Sequence, residues 1–96
     1  MRRAEVIEIL RNSKAELTRK YSLKSLALFG SYARDEQTDN SDIDVLVEFS
    51  EPVGMEFIDL LMDLEKILNN NKIDLVSKKG IKPHYLPYIE EELIYV

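Results

Sequence analysis

Two aspartates at the mouth of an apolar run constrain this chain more than any other feature. Asp42-Ile43-Asp44 opens Val45-Leu46-Val47-Glu48-Phe49. Upstream, a shorter apolar run, Leu26-Ala27-Leu28-Phe29, ends at Gly30-Ser31, and the stretch from Tyr32 to Ser41 is too polar to be a buried element. Side chains along a strand alternate between faces, so Asp42 and Asp44 point the same way, roughly 7 Å apart along the backbone, while Ile43 anchors the core side. Such carboxylates can converge on one hard cation, or on two cations about 3.5–4 Å apart. The competing reading of the same spacing is a pair of surface aspartates serving solubility or local hydrogen bonds. Gly30 permits close backbone approach to a phosphate, and the Ser31 hydroxyl and nearby N–H groups can donate to it, although glycine–serine pairs also mark ordinary turns.

Periodicity organises the rest. Residues 5 to 19 predict a helix with Val6, Ile7, Leu10 and Leu17 near one face, and residues 21 to 24 a connector. The short apolar run 26–29 predicts a central strand buried on both faces. Tyr32 to Glu36 predicts a short helix with Ser31 near its cap, where an anion is welcome. Residues 43 to 49 form the second strand. Phe57, Leu60, Leu61, Leu64, Ile67 and Leu68 recur at the helical period, and Asn69-Asn70-Asn71 stops that helix because asparagine tolerates left-handed angles. Ile73-Asp74-Leu75-Val76 is a third strand, and a proline-started helix is expected from about residue 83. At 96 residues the chain fits one small domain over 1–96, with modest stability unless a partner covers an apolar face.

Asp74 interrupts an apolar run that reads as a central strand, where packing explains an aspartate poorly. If that strand lies beside residues 43–49, Asp74 reaches the same cluster; otherwise it is the solvent-facing residue of a half-exposed strand. Arg34 can bind phosphate or pair with an acidic neighbour. Lys78-Lys79-Gly80, after the third strand, is either an aid to phosphate binding or, the favoured reading, a solvated turn, and His84, the lone histidine, lacks a nucleophile or ligand partner. The absence of cysteine excludes disulfides and thiolate chemistry and fits a reducing, cytoplasmic setting. No signal-peptide pattern and no stretch of membrane-spanning length are expected. A formal net charge of -5 argues against a generic grip on long nucleic acid. A small nucleotide remains compatible, because metal ions held by carboxylates can supply the positive charge it needs.

Taken together, Gly30-Ser31-Tyr32-Ala33-Arg34, Ser41-Asp42-Ile43-Asp44-Val45-Leu46-Val47 and Ile73-Asp74-Leu75-Val76 closely resemble the minimal nucleotidyltransferases of the DNA polymerase beta superfamily. Within that group the chain looks most like the MNT antitoxins that pair with HEPN-domain ribonuclease toxins. The resemblance implies an α+β fold, a short mixed β-sheet with flanking helices. It also implies that Gly30 and Ser31 bind the triphosphate of ATP, that Asp42 and Asp44 hold Mg²⁺, and that Asp74 completes the carboxylate triad; from the residues themselves, Arg34 joins the triphosphate-binding candidates and two Mg²⁺ ions are expected. The implied activity is transfer of AMP to a hydroxyl, typically a tyrosine of the cognate toxin in a hetero-oligomer, with release of pyrophosphate. Asp35 departs from the pattern, since related chains often carry glycine there. Two other readings stay open: an antitoxin that neutralises its partner by binding alone, and a nucleotidyltransferase acting on a small-molecule hydroxyl.

Overall fold

Apolar stripes on two helices and alternating apolar positions on three strands meet on one side of a mixed sheet. The computed structural model describes residues 1–96. It contains α1 (Arg3–Tyr21), β1 (Leu23–Phe29), α2 (Gly30–Ala33), β2 (Ile43–Phe49), α3 (Glu56–Ile67), β3 (Ile73–Ser77), a 3-10 turn at Lys78–Gly80, α4 (Leu86–Glu92) and β4 (Ile94–Tyr95). The strand order is β3-β2-β1-β4. β1 is antiparallel to both β2 and β4, and β2 is parallel to β3. A parallel pair needs a long crossover, which α3 supplies. No helix is long and apolar enough to cross a membrane.

The core lies between the sheet and the α1–α3 layer. Val6, Leu10, Leu17 and Tyr21 of α1 and Leu60 and Leu64 of α3, with Leu68 just beyond it, join Leu26, Leu28, Ile43, Val45, Val47 and Ile73 in one buried cluster. By alternation, Phe29, Asp44 and Asp74 face the other side of the sheet. Tyr21 donates its hydroxyl hydrogen to Asp63 of α3, which Lys20 also contacts at 2.9 Å. This ties the two helices together at their solvent rim.

Several boundaries differ from the sequence expectation. The expected connector at 21–24 is instead the end of α1, a single left-handed residue, Ser22 (φ 55°), and the start of β1. The polar pair Lys24-Ser25 hid the beginning of a strand whose Leu23 is buried and whose backbone pairs with Phe49 and Glu48, across an irregularity in the ladder. α2 begins at Gly30, two residues before the expected Tyr32, and Asp35 closes the turn at φ 58°. The C-terminal helix starts at Leu86, later than residue 83, with Pro87 in its first turn. β4 was not expected, because two residues are too few to show alternation. β3 is an edge strand, so Asp74 does not interrupt a central one as its apolar neighbours suggested. By contrast, β2 has its expected limits, and Asn69 and Asn70 adopt left-handed angles (φ 58° and 59°) after α3.

Candidate active site

The ladder brings three segments to one place. Phe29 stands opposite Asp44 on the antiparallel side, and Asp74 stands beside Asp44 on the parallel side. Gly30, one residue beyond Phe29, therefore lies against Asp44. It adopts φ +73°, and a Cβ there would sit 1.9 Å from Asp44 Oδ2. The missing side chain at residue 30 is thus what gives the Asp44 carboxylate its space. Asp42 immediately precedes β2, and Lys72 Nζ lies 3.7 Å from its Oδ2. The backbone N–H of Ile43 donates to Lys72 O at 2.9 Å, fixing the mouths of β2 and β3 side by side.

The electrostatics follow from that crowding. Asp44 is partly buried, and burial, then the neighbouring Asp74 carboxyl, pushes its pKa up to about 6; Asp42 and Glu92 add smaller like-charge contributions. Like-charged neighbours disfavour ionisation until something positive joins them. An all-carboxylate oxygen set suits a hard divalent cation, and the cradle left open by Gly30 keeps Asp44 accessible, so these residues fit a magnesium site. The side chains are not already closed as a three-ligand group around one point. Asp44 and Asp74 are held in register by the ladder, whereas Asp42 lies just outside it.

Arg34 and Gly30 converge on a residue that no local pattern marks. Glu92, the last residue of α4, accepts from the Gly30 backbone N–H through Oε1 at 3.0 Å and from Arg34 Nη1 through Oε2 at 2.6 Å. Arg34 also contacts Glu36 at 3.0 Å. Both acidic contacts, the Glu92 hydrogen bond first, hold the guanidinium above its ordinary value. The sequence shows Glu92 only as the end of an acidic triplet, and its partners lie 58 and 62 residues away. Ser31 follows Gly30 within α2 and is half-buried.

The remaining candidates lie apart from the cluster. Lys78 pairs with Glu48 at 3.8 Å near the opposite end of the parallel strands. His84 is exposed and lies against the Tyr85 ring, with centroids 4.1 Å apart and the planes tilted by 40°. Asp35 is exposed and in the left-handed region, which explains why glycine suits that position and why aspartate, which tolerates such angles, can replace it. None of the four surface hollows is lined by Asp42, Asp44 or Asp74. Asp74 is exposed on the edge strand β3, whereas Asp44 is partly buried on the inner strand β2.

A mixed sheet backed by helices on one face, with a glycine turn and paired strand carboxylates on the other, defines a nucleotidyltransferase. The chain belongs to the family described as the nucleotidyltransferase domain, whose model matches residues 10–96, and it is an enzyme of that class. It is 54% identical to a candidate protein adenylyltransferase of Methanocaldococcus jannaschii, over 97% of this chain and 96% of that protein. It is 37% identical to the protein adenylyltransferase MntA of Thermococcus cleftensis, over 96% of this chain and 93% of that one. Among solved structures it resembles a candidate minimal nucleotidyltransferase at a TM-score of 0.85 and 29% identity, covering 100% of this chain and 97% of that one. It also resembles a chain of a toxin–antitoxin complex solved with AMP-PNP, at a TM-score of 0.72 and 25% identity, covering 88% of this chain and 69% of that one.

Proposed function

We propose that residues 1–96 act as one domain, a Mg²⁺-dependent protein adenylyltransferase of the cytoplasm. It transfers AMP from ATP to a hydroxyl, typically of tyrosine, on a HEPN ribonuclease toxin with which it assembles, and so acts as an antitoxin. The observation that carries this reading is the pairing of Asp44 with Asp74 across β2 and β3, with Gly30 packed against Asp44. Relatives called protein adenylyltransferases match nearly the whole chain, and the complex with AMP-PNP points to nucleotide and toxin partner alike.

In this reading Asp42, Asp44 and Asp74 hold the magnesium ions, and Gly30, Ser31 and Arg34 hold the triphosphate. When bound at these aspartates, the metal would supply charge neutralisation of the phosphates. Asp74, exposed at the sheet edge, takes the proton of the acceptor hydroxyl. The acceptor oxygen then bonds to the α-phosphorus, the bond from that phosphorus to the bridging oxygen breaks, and pyrophosphate leaves. Asp74 is exposed, so a hydroxyl presented by another macromolecule can approach it.

The deciding experiment is intact-mass spectrometry of a HEPN partner after incubation with this protein, ATP and Mg²⁺, beside an Asp44→Asn control. Increments of one or more AMP with the wild type alone are expected. A partner that stays unmodified while its ribonuclease is still silenced by complex formation would replace transfer with inhibition by binding.

A further inference from the structure

The Gly30 N–H and the Arg34 guanidinium are donors suited to a phosphate, yet a carboxylate already satisfies both. Glu92 reaches them from α4 with one oxygen on each, at 3.0 Å and 2.6 Å. Its side chain is 22% exposed, whereas that of Arg34 is 46% exposed, so the acid is the more enclosed partner. A carboxylate is the protein's closest match to a phosphate face: planar, anionic and able to accept two donors in parallel. It also stands near enough to Asp44 to add to the negative charge there, so bound this way it opposes a triphosphate both by occupying its donors and by repelling it.

We propose that Glu92 is a built-in competitor of the triphosphate, and that nucleotide binds when the α4 carboxylate leaves Gly30 and Arg34. This rests on the nucleotide-binding reading of the site given above. The structural cost of release is local. α4 is seven residues long with no buried residue, so Glu92 can move while β4 stays attached to β1 through Ala27–Tyr95, Leu28–Ile94 and the Val96 N–H, which donates to Leu26 O at 3.1 Å. A short helix without a buried anchor lies at the low-stability end of a fold, while Ile94 and Val96 beyond it keep the chain end packed on the core. Tyr85 and Tyr88, 56% and 73% exposed, flank or lie on the same helix, so loading the site with nucleotide would also reposition that aromatic surface.

The test is calorimetric titration of the full chain, without partner, with a non-hydrolysable ATP analogue plus Mg²⁺, with inorganic triphosphate and with adenosine. Wild type is compared with Glu92→Gln, which keeps the shape and loses the charge, and with Glu92→Ala, which loses both. A contact closed nine-tenths of the time weakens apparent affinity about tenfold. Both variants are therefore expected to bind the analogue and triphosphate about tenfold more tightly than wild type, with adenosine unaffected. Equal or weaker binding of the phosphates by both variants would overturn the competitor while leaving the nucleotide site standing. A gain that extends equally to adenosine would also overturn it, because Glu92 would then not be opposing phosphate. If neither wild type nor variants bind any of the three, the nucleotide site itself fails and the competitor with it. Thermal melts of the three proteins keep a misfolded variant from passing as a negative.

Discussion

At the scale of single residues, Gly30 does two things that its neighbours could not. It adopts φ +73° and leaves room for Asp44 Oδ2, which an added Cβ would approach to 1.9 Å. An L-residue in the left-handed region costs about 1–2 kcal/mol, and here the clash falls on a carboxylate that register holds in place. Gly30→Ala is therefore expected to lower stability by about 2 kcal/mol or more and to reduce AMP transfer about a hundredfold through displacement of Asp44. Chemical denaturation and single-turnover transfer, run on the same preparation, check the two effects separately. Asp35 is the milder counterpart: its left-handed angle faces solvent and crowds nothing in the carboxylate cluster.

At the scale of elements, α1 and α3 form a layer whose inner side is core and whose rim is electrostatic. The Tyr21 hydroxyl is the largest cause of the depression of Asp63 below its ordinary value of 3.8, with Lys20 next. That interaction contributes stability above the unfolded pKa, and the contribution is lost as pH falls through the depressed one. Tyr21→Phe keeps the ring, which is 5% exposed, and removes only the donor to Asp63. A hydrogen bond to a charged acceptor is worth about 1.5–3 kcal/mol. The expected outcome is a loss of about 1.5 kcal/mol at neutral pH, shrinking in acid, read from urea midpoints. The turnover of folded enzyme should be unchanged, because this pair lies on the helical side of the sheet and the aspartates on the other. The parallel β2–β3 pair is what turns two separate acidic motifs into one site. Strand motifs 30 residues apart become side-by-side neighbours because α3 carries the chain back over the same face.

At the scale of the molecule, the two faces of one sheet divide the labour, and the dimensions of 33 × 32 × 19 Å leave a single helical layer to stabilise both. The active face works against stability. Asp44, raised to about 6 from 3.8, keeps a proton in the folded state that the unfolded chain has already released between those values. Stability is accordingly present at the acid end of that window, falls as pH rises through it, and is level above it. Asp44→Asn is neutral throughout and should abolish that slope. Above about pH 6 the variant is expected to be the more stable by about 1 kcal/mol, the shift being discounted because the carboxyl is only partly buried. Urea midpoints of both proteins from about pH 4 to about pH 7 measure the difference. Adding Mg²⁺ should stabilise the wild type at the upper end and leave the variant unmoved.

The sequence by itself determined the elements with long or clean periodicity. The β2 boundaries, the α3 stripe and its asparagine stop were legible because local side-chain pattern and backbone preference agree there. The candidate residues Gly30, Ser31, Arg34, Asp42, Asp44 and Asp74 were legible too, because carboxylates and a glycine–serine turn stand out against apolar strands. Where β1 begins was hidden by Lys24 and Ser25, whose place in the strand is set by backbone pairing with β2 and not by their own side chains. β4 was hidden because two residues have no period. Only the tertiary structure decided that β3 lies parallel beside β2, since Asp74 would have been as well explained at a solvated edge with no partner. It alone decided that Gly30 makes room for Asp44, and that Arg34 meets Glu92. These are contacts between residues 14 to 62 positions apart; no local preference encodes them, because their geometry exists only after the sheet has ordered its strands and the C-terminal segment has folded back along β1.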